Sequence, residues 1–182
     1  MGHLWGRSAH ALRGTSEQDW KRTRTEAAMS TPSPIRITAA LSAEHRTRLM
    51  SVAHEVNFVE GTRIFSEGGP ADRFWIVRTG TVTLDVKVPG TKSAVIESLG
   101  PGELVGWSWL FRPYTWHFGA EAMTPVRTHE FDAAAVRMMM DADPAFGSAI
   151  GHWVGQVLAH RLLSARIRLL DLYAPHGSGS TL

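Results

Sequence analysis

A chain of 182 residues, 43% apolar and 20% charged, can bury one ordinary core and leaves no room for a second domain. Its net charge of +2 resides in the first 28 residues, where Arg7, Arg13, Lys21, Arg22 and Arg24 outnumber Glu17, Asp19 and Glu26. The remainder is neutral and offers no cationic footprint for a phosphate backbone. The absence of cysteine excludes disulfides, thiolate nucleophiles and Cys-ligated metal, and fits a reducing compartment. No apolar run reaches the roughly 18 residues of a membrane span, and the N-terminus lacks the apolar stretch of a secretory signal. The expectation is a cytoplasmic protein without a membrane partner.

In chain order, residues 1–35 are rich in Arg, Ser, Thr and Gly with isolated apolar residues, a composition that cannot offset the entropy of ordering, and read as a disordered tail. Met29 opens MSTPSPIR as an ordinary start would, which makes residues 1–28 a candidate for a mis-set translation start. A single domain is expected over 36–174. Ser42 can cap a helix running to Ala53, with Leu41 as its hydrophobic staple. From Asn57 to Phe131 short runs of Val, Ile, Phe, Trp and Thr alternate with turns at Gly61, Gly68-Gly69-Pro70, Gly80, Pro89-Gly90 and Gly100-Pro101-Gly102. That spacing predicts a closed or nearly closed antiparallel β architecture.

Helices are expected over 132–173. Asp132 is placed to cap the first, and Asp143-Pro144 opens the second with proline at its first position. Within the second, Val154, Leu158, Leu162, Ala165, Leu169 and Leu172 recur at steps of 4, 4, 3, 4 and 3, a coiled-coil-like seam that predicts a homodimer interface. Beside it runs another stripe of Phe146, Ile150, Trp153 and Val157, suited to lying on the β body. Arg161, Arg166 and Arg168 read as a solvated cationic face near a helix C-terminus. Met138 to Met140 read as packing between the two helices, and residues 175–182 as a disordered end.

The segment FVEGTRIFSEGGPADRFWIVRTGTVTL resembles the cyclic-nucleotide-binding domains of the Crp/Fnr (catabolite activator-like) regulators. The likeness rests on Gly61, Ile64-Phe65, Glu67-Gly68, Asp72, the run from Phe74 to Val77, Gly80 and Val82, and continues through LGPGELVG into the phosphate-binding cassette. It extends from Leu41 to Tyr173. It implies a mainly β fold with flanking helices, a β-roll of the double-stranded β-helix or jelly-roll kind followed by a long helix, in a bacterial signalling protein. The resemblance also implies a helix-turn-helix domain of about 70 residues beyond the long helix in the DNA-binding members. Here the sequence ends soon after that helix, so direct DNA binding is not expected.

The cassette departs from the family's pattern. In the family it reads roughly Phe-Gly-Glu-Leu-Ala-Leu and, further on, Arg followed by a small residue, the Glu taking the ribose hydroxyl and the Arg the cyclic phosphate. Here Val105-Gly106-Trp107-Ser108-Trp109-Leu110-Phe111 puts Trp107 in the place of the Glu, and the place of the Arg falls on Trp116 or His117. Neither can supply the charged bidentate fork of a guanidinium. Each lost charged partner costs about 1.5–3 kcal/mol, enough together to move a micromolar site to millimolar. Arg112 is the one cation inside the loop able to stand in.

The cluster WSWLFRPYTWHF therefore carries two readings. Its rings either line a cage for a planar ligand, with the indole N–H groups and His117 as polar points, or fill the volume that a nucleotide would take. The candidate ligand residues are Gly106, Trp107, Ser108, Trp109, Arg112, Trp116 and His117, with no cofactor expected other than cyclic AMP or cyclic GMP. Gly106-Trp107-Ser108 lacks the second glycine and the strand-to-helix setting of a nucleophile elbow, the nine histidines show no metal-ligand spacing, and no enzyme site can be assembled. Two functions follow as expectations. One is a stand-alone regulatory module that has lost ordinary cyclic AMP recognition and works through a protein partner. The other is a sensor of a cyclic nucleotide or another small anionic or planar ligand, held by Arg112 and the cassette backbone.

Overall fold

The computed structural model describes residues 33–173 apart from 89, 91 and 92. Of the expected tail at 1–35, residues 1–32 lie outside the described residues, as does the tail at 175–182, whereas Ile35 packs partly buried against the core. Two short helices, α1 (Ile37–Ala40) and α2 (Ala43–Met50), lead into eight strands and two further helices. Ser42 caps α2 as expected, its hydroxyl accepting the His45 N–H at 3.1 Å. Leu41 and Leu49 are both buried.

The strands are β1 (His54–Phe58), β2 (Arg63–Phe65), β3 (Arg73–Thr79), β4 (Val82–Val86), β5 (Ala94–Leu99), β6 (Leu104–Val105), β7 (Gly119–Ala122) and β8 (Val126–Asp132). They form two antiparallel four-stranded sheets, ordered β1-β8-β3-β6 and β2-β7-β4-β5. The turn spacing predicts the antiparallel β architecture, and the family resemblance the β-roll that it forms. The corners at Gly61, Gly68, Gly80, Gly102 and Gly106 all take positive φ.

The core is laid down by the apolar runs of the inner strands. Phe74, Trp75, Ile76 and Val77 of β3, which lies between β8 and β6, are buried in succession, so both faces of the strand are covered. Phe74 faces Phe131 across the β3–β8 register with ring centroids 4.7 Å apart, and Trp109 stacks on Phe74 at 4.3 Å. Three aromatic rings thus tie the main sheet to the segment that follows β6.

Two helices close the domain. Asp132 caps α3 (Ala133–Ala142) by accepting the Ala135 N–H at 2.7 Å, and Asp143 caps α4 (Pro144–Tyr173) by accepting those of Ala145 and Phe146. A Cβ at Gly147 would stand 2.9 Å from the Met140 carbonyl oxygen, so glycine is what lets α3 and α4 meet closely at their junction. Met139 and Met140 pack on the core there, whereas Met138 is exposed. Among the described residues no helix is long and apolar enough to cross a membrane.

The stripe Phe146, Ile150, Trp153 and Val157 is buried, as the sequence predicts. Val154 is equally buried by its own chain and is closed to a partner, which corrects its place in the dimer seam. From Leu158, half-buried, the seam opens outward: Leu162 is 71% exposed, Leu169 53%, and Ala165 is exposed as well. The side chain of Leu172 lies outside the described residues.

Candidate functional site

The cassette region begins where β6 ends. Leu104 and Val105 are buried, Gly106 turns the chain at φ +80°, Trp107 follows, and Ser108–Leu110 form a single 3₁₀ turn. The chain then runs through a loop containing a cis Arg112–Pro113 bond and returns to the roll at Trp116. Hydrogen bonds fix that return. Ala71 N–H donates to the Tyr114 carbonyl at 2.7 Å, Trp116 N–H to Gly69 at 2.8 Å, and Gly68 N–H to Trp116 at 2.9 Å.

Held in this way, the Trp116 ring points into the roll. It stacks on Phe65 at 3.9 Å and lies so close to Gly106 that a Cβ there would come within 2.5–2.7 Å of the indole carbons. Gly106 is therefore required twice, for its positive φ and for the ring that passes over it. Trp116 is only 4% exposed.

The cavity at this place is lined by Phe65, Leu84, Gly106, Trp107, Ser108, Trp116, Phe118 and Arg161, and holds about 10 Å³. Small-molecule sites run to about 300–1,000 Å³, and about 10–15 Å³ is the least that admits one water. Trp107 and Trp116 both contribute rings to its wall.

The predicted site residues divide into three groups. Gly106, Trp107, Ser108 and Trp116 meet around the cavity. Trp109 is fully buried in the three-ring stack with Phe74 and Phe131, its indole N–H lacking an acceptor, and belongs to the core. Arg112 and His117 stand outside the lining. The Arg112 guanidinium lies 5.6 Å from the Tyr114 ring centre, and the His117 ring stacks on Trp107 at 4.8 Å with Nδ1 3.0 Å from the Ser108 hydroxyl. Of the two candidates for the arginine's place, Trp116 is buried and lines the cavity whereas His117 is exposed.

Arg161 requires a correction. It is not part of a solvated cationic face: its side chain is 12% exposed, while Arg166 and Arg168 are exposed. From α4 it reaches the cavity, donating from Nε to Glu97 of β5 at 2.9 Å and from one terminal nitrogen to the Leu104 carbonyl of β6 at 2.7 Å. The other terminal nitrogen is buried without an acceptor among the described residues. Burial lowers the pKa of this guanidinium, against which Glu97 and Glu103 act to raise it. Glu103, next to Leu104, has its carboxyl pushed above the ordinary range by burial, although the Gly100 N–H and Arg161 both favour its charged form.

A sequence signal for Arg161 existed. It stands four residues after Val157, which stands four after Trp153, so it continues the buried stripe by one turn. On the far side of the loop, Arg137 of α3 donates to the Trp109 carbonyl at 2.7 Å and lies 4.2 Å from the Tyr114 ring centre, joining the helix pair to the cassette. Among the described residues no group of three or more His, Asp or Glu is placed to hold a metal ion.

Comparison with known proteins agrees with this architecture. Residues 55–143 match the sequence pattern of the cyclic nucleotide-binding domain family. The chain is 30% identical over 117 residues to a CRP-like cAMP-activated global transcriptional regulator of Mycobacterium tuberculosis, a match covering 64% of this chain and 50% of the relative. The chain thus spans about half the length of the curated relatives it matches. Among solved structures, the N-terminal domain of a transcriptional regulator from Streptomyces coelicolor A3(2) superposes with a TM-score of 0.57 at 26% identity, covering 82% of this chain and 98% of that one. The catabolite activator protein of Thermus thermophilus shares the fold with a TM-score of 0.61 at 23% identity, covering 73% and 61%. Residues 55–143 thus match the cyclic nucleotide-binding domain family, and the chain is similar to a CRP-like regulator over 117 residues.

Proposed function

We propose that this chain is a regulatory module, not an enzyme, that works through a protein partner and does not recognise cyclic AMP in the ordinary way. One observation carries the reading: Trp116 occupies the nucleotide end of the roll, stacked on Phe65 and pressed against Gly106, leaving a cavity of about 10 Å³. Trp107, in the place of the carboxylate that would take a ribose hydroxyl, stacks on His117 and supports the same conclusion.

Output then falls to α4. Its second half carries Leu162, Leu163 and Leu169 at 71%, 50% and 53% exposure, and apolar surface of that kind on a helix marks a contact with another chain. The occupant we assign is a second copy of this chain, with the regulated protein meeting the resulting dimer. Sedimentation of the full 20.0 kDa chain tests it. The expected result is a dimer that the double variant Leu162→Lys, Leu169→Lys converts to monomer; a wild-type monomer at all concentrations would remove the pairing.

A further inference from the structure

We propose that Arg161 is a latch: its guanidinium clasps Glu97 and the Leu104 carbonyl, fixing how far α4 lies along the roll and coupling that helix to the strand that feeds the cassette turn. The inference rests on the reading of α4 as the output element.

Arg161 stands at the boundary between two differently buried halves of α4. Before it, Trp153, Val154 and Val157 are held by the core; directly after it, Leu162 and Leu163 face solvent. It is the last α4 side chain for which a polar bond to the roll is seen among the described residues, and both acceptors lie on the strands at the cassette end, β5 and β6. Leu104 is separated from Gly106 by a single residue, so a pull on this contact is felt at the turn carrying Trp107.

The contact is also balanced in a way suited to release. The guanidinium, 12% exposed, is held away from water that release would restore to it, while the bonds to Glu97 and Leu104 favour the latched state. Opposing terms of this kind give an element whose position a partner can bias. A partner covering the outer half of α4 supplies such a bias by competing for the position of the helix.

Hydrogen–deuterium exchange on the full chain tests the latch. Arg161→Ala is expected to raise exchange in the α4 segment 158–169 and at 104–107 by about ten-fold or more, the equivalent of one lost bond to a charged group, with β3 and β8 unchanged. Glu97→Gln, which keeps the shape and removes the charge, should act in the same direction and less strongly, and Arg161→Lys should fall between wild type and Arg161→Ala. Unchanged exchange in α4 overturns the latch. So does a uniform rise that includes β3 and β8 in both Arg161→Ala and Glu97→Gln, since the contact would then support the whole fold. The sedimentation result is independent: raised α4 exchange in a chain that never dimerises keeps the latch and discards the pairing.

Discussion

Two regions of this molecule invite occupation and differ in what fills them. At the nucleotide end of the roll, Trp116, Phe65 and Trp107 fill the space from within and the Trp116 backbone is bonded on both sides to the turn at Gly68-Gly69. On the outer half of α4, Leu162, Leu163 and Leu169 are left largely exposed by the described residues. An apolar surface satisfied internally serves the fold, and one left open is free to serve an interface. Under the proposed function, the contrast is that of a regulator whose inherited input is closed and whose output is exposed.

The largest expected effect comes from removing the plug. Trp116→Ala should cost about 3–5 kcal/mol in chemical denaturation, as deletion of a buried indole does, and should open a cavity that takes up a small apolar probe such as indole. A loss under about 1 kcal/mol would show that the ring is loosely held and the input is open, breaking the contrast. Gly106→Ala follows in size. The added methyl meets Trp116 and adopts a positive φ, so a loss of about 2–4 kcal/mol is expected, and combining it with Trp116→Ala should cost less than the two separately.

A smaller effect concerns pH at the junction of the two regions. Burial raises the folded-state pKa of Glu103 above its ordinary 4.5, so the folded chain keeps a proton that the unfolded chain has already lost in the window between the two values. Stability is therefore lost as pH rises through that window and is fully restored below about 4.5. Glu103→Gln, whose side-chain oxygen can still accept the Gly100 N–H, should raise the thermal midpoint modestly at pH 7, and the gain should vanish as the pH falls below 4.5. A gain that persists in acid would place its origin elsewhere than in the buried charge.

Much of the fold was legible in the residues. Turn glycines at positive φ, the caps at Ser42, Asp132 and Asp143, and the apolar run of β3 each act locally, and local rules read them. The site was legible only in part. Trp116 and His117 are equivalent by spacing, and only the hydrogen bonds of the loop to Gly68 and Gly69 decide which ring faces inward. Val154 fits a heptad seam and a buried stripe equally well, and the position of the roll beside α4 settles the choice. The burial of Arg161 is hard to read from sequence because its charge conceals its position on the stripe of Trp153 and Val157, and its acceptors Glu97 and Leu104 are some 60 residues away.

The central claim, that the inherited input is closed, is tested most directly by calorimetric titration of the full chain with cyclic AMP and cyclic GMP to millimolar concentration, with tryptophan fluorescence followed in parallel. A plugged roll predicts no saturable heat and no saturable fluorescence change below about 1 mM for either nucleotide. Saturable micromolar binding, with a fluorescence change from Trp107 and Trp116, would contradict the account and show that the Trp116 ring gives way to ligand.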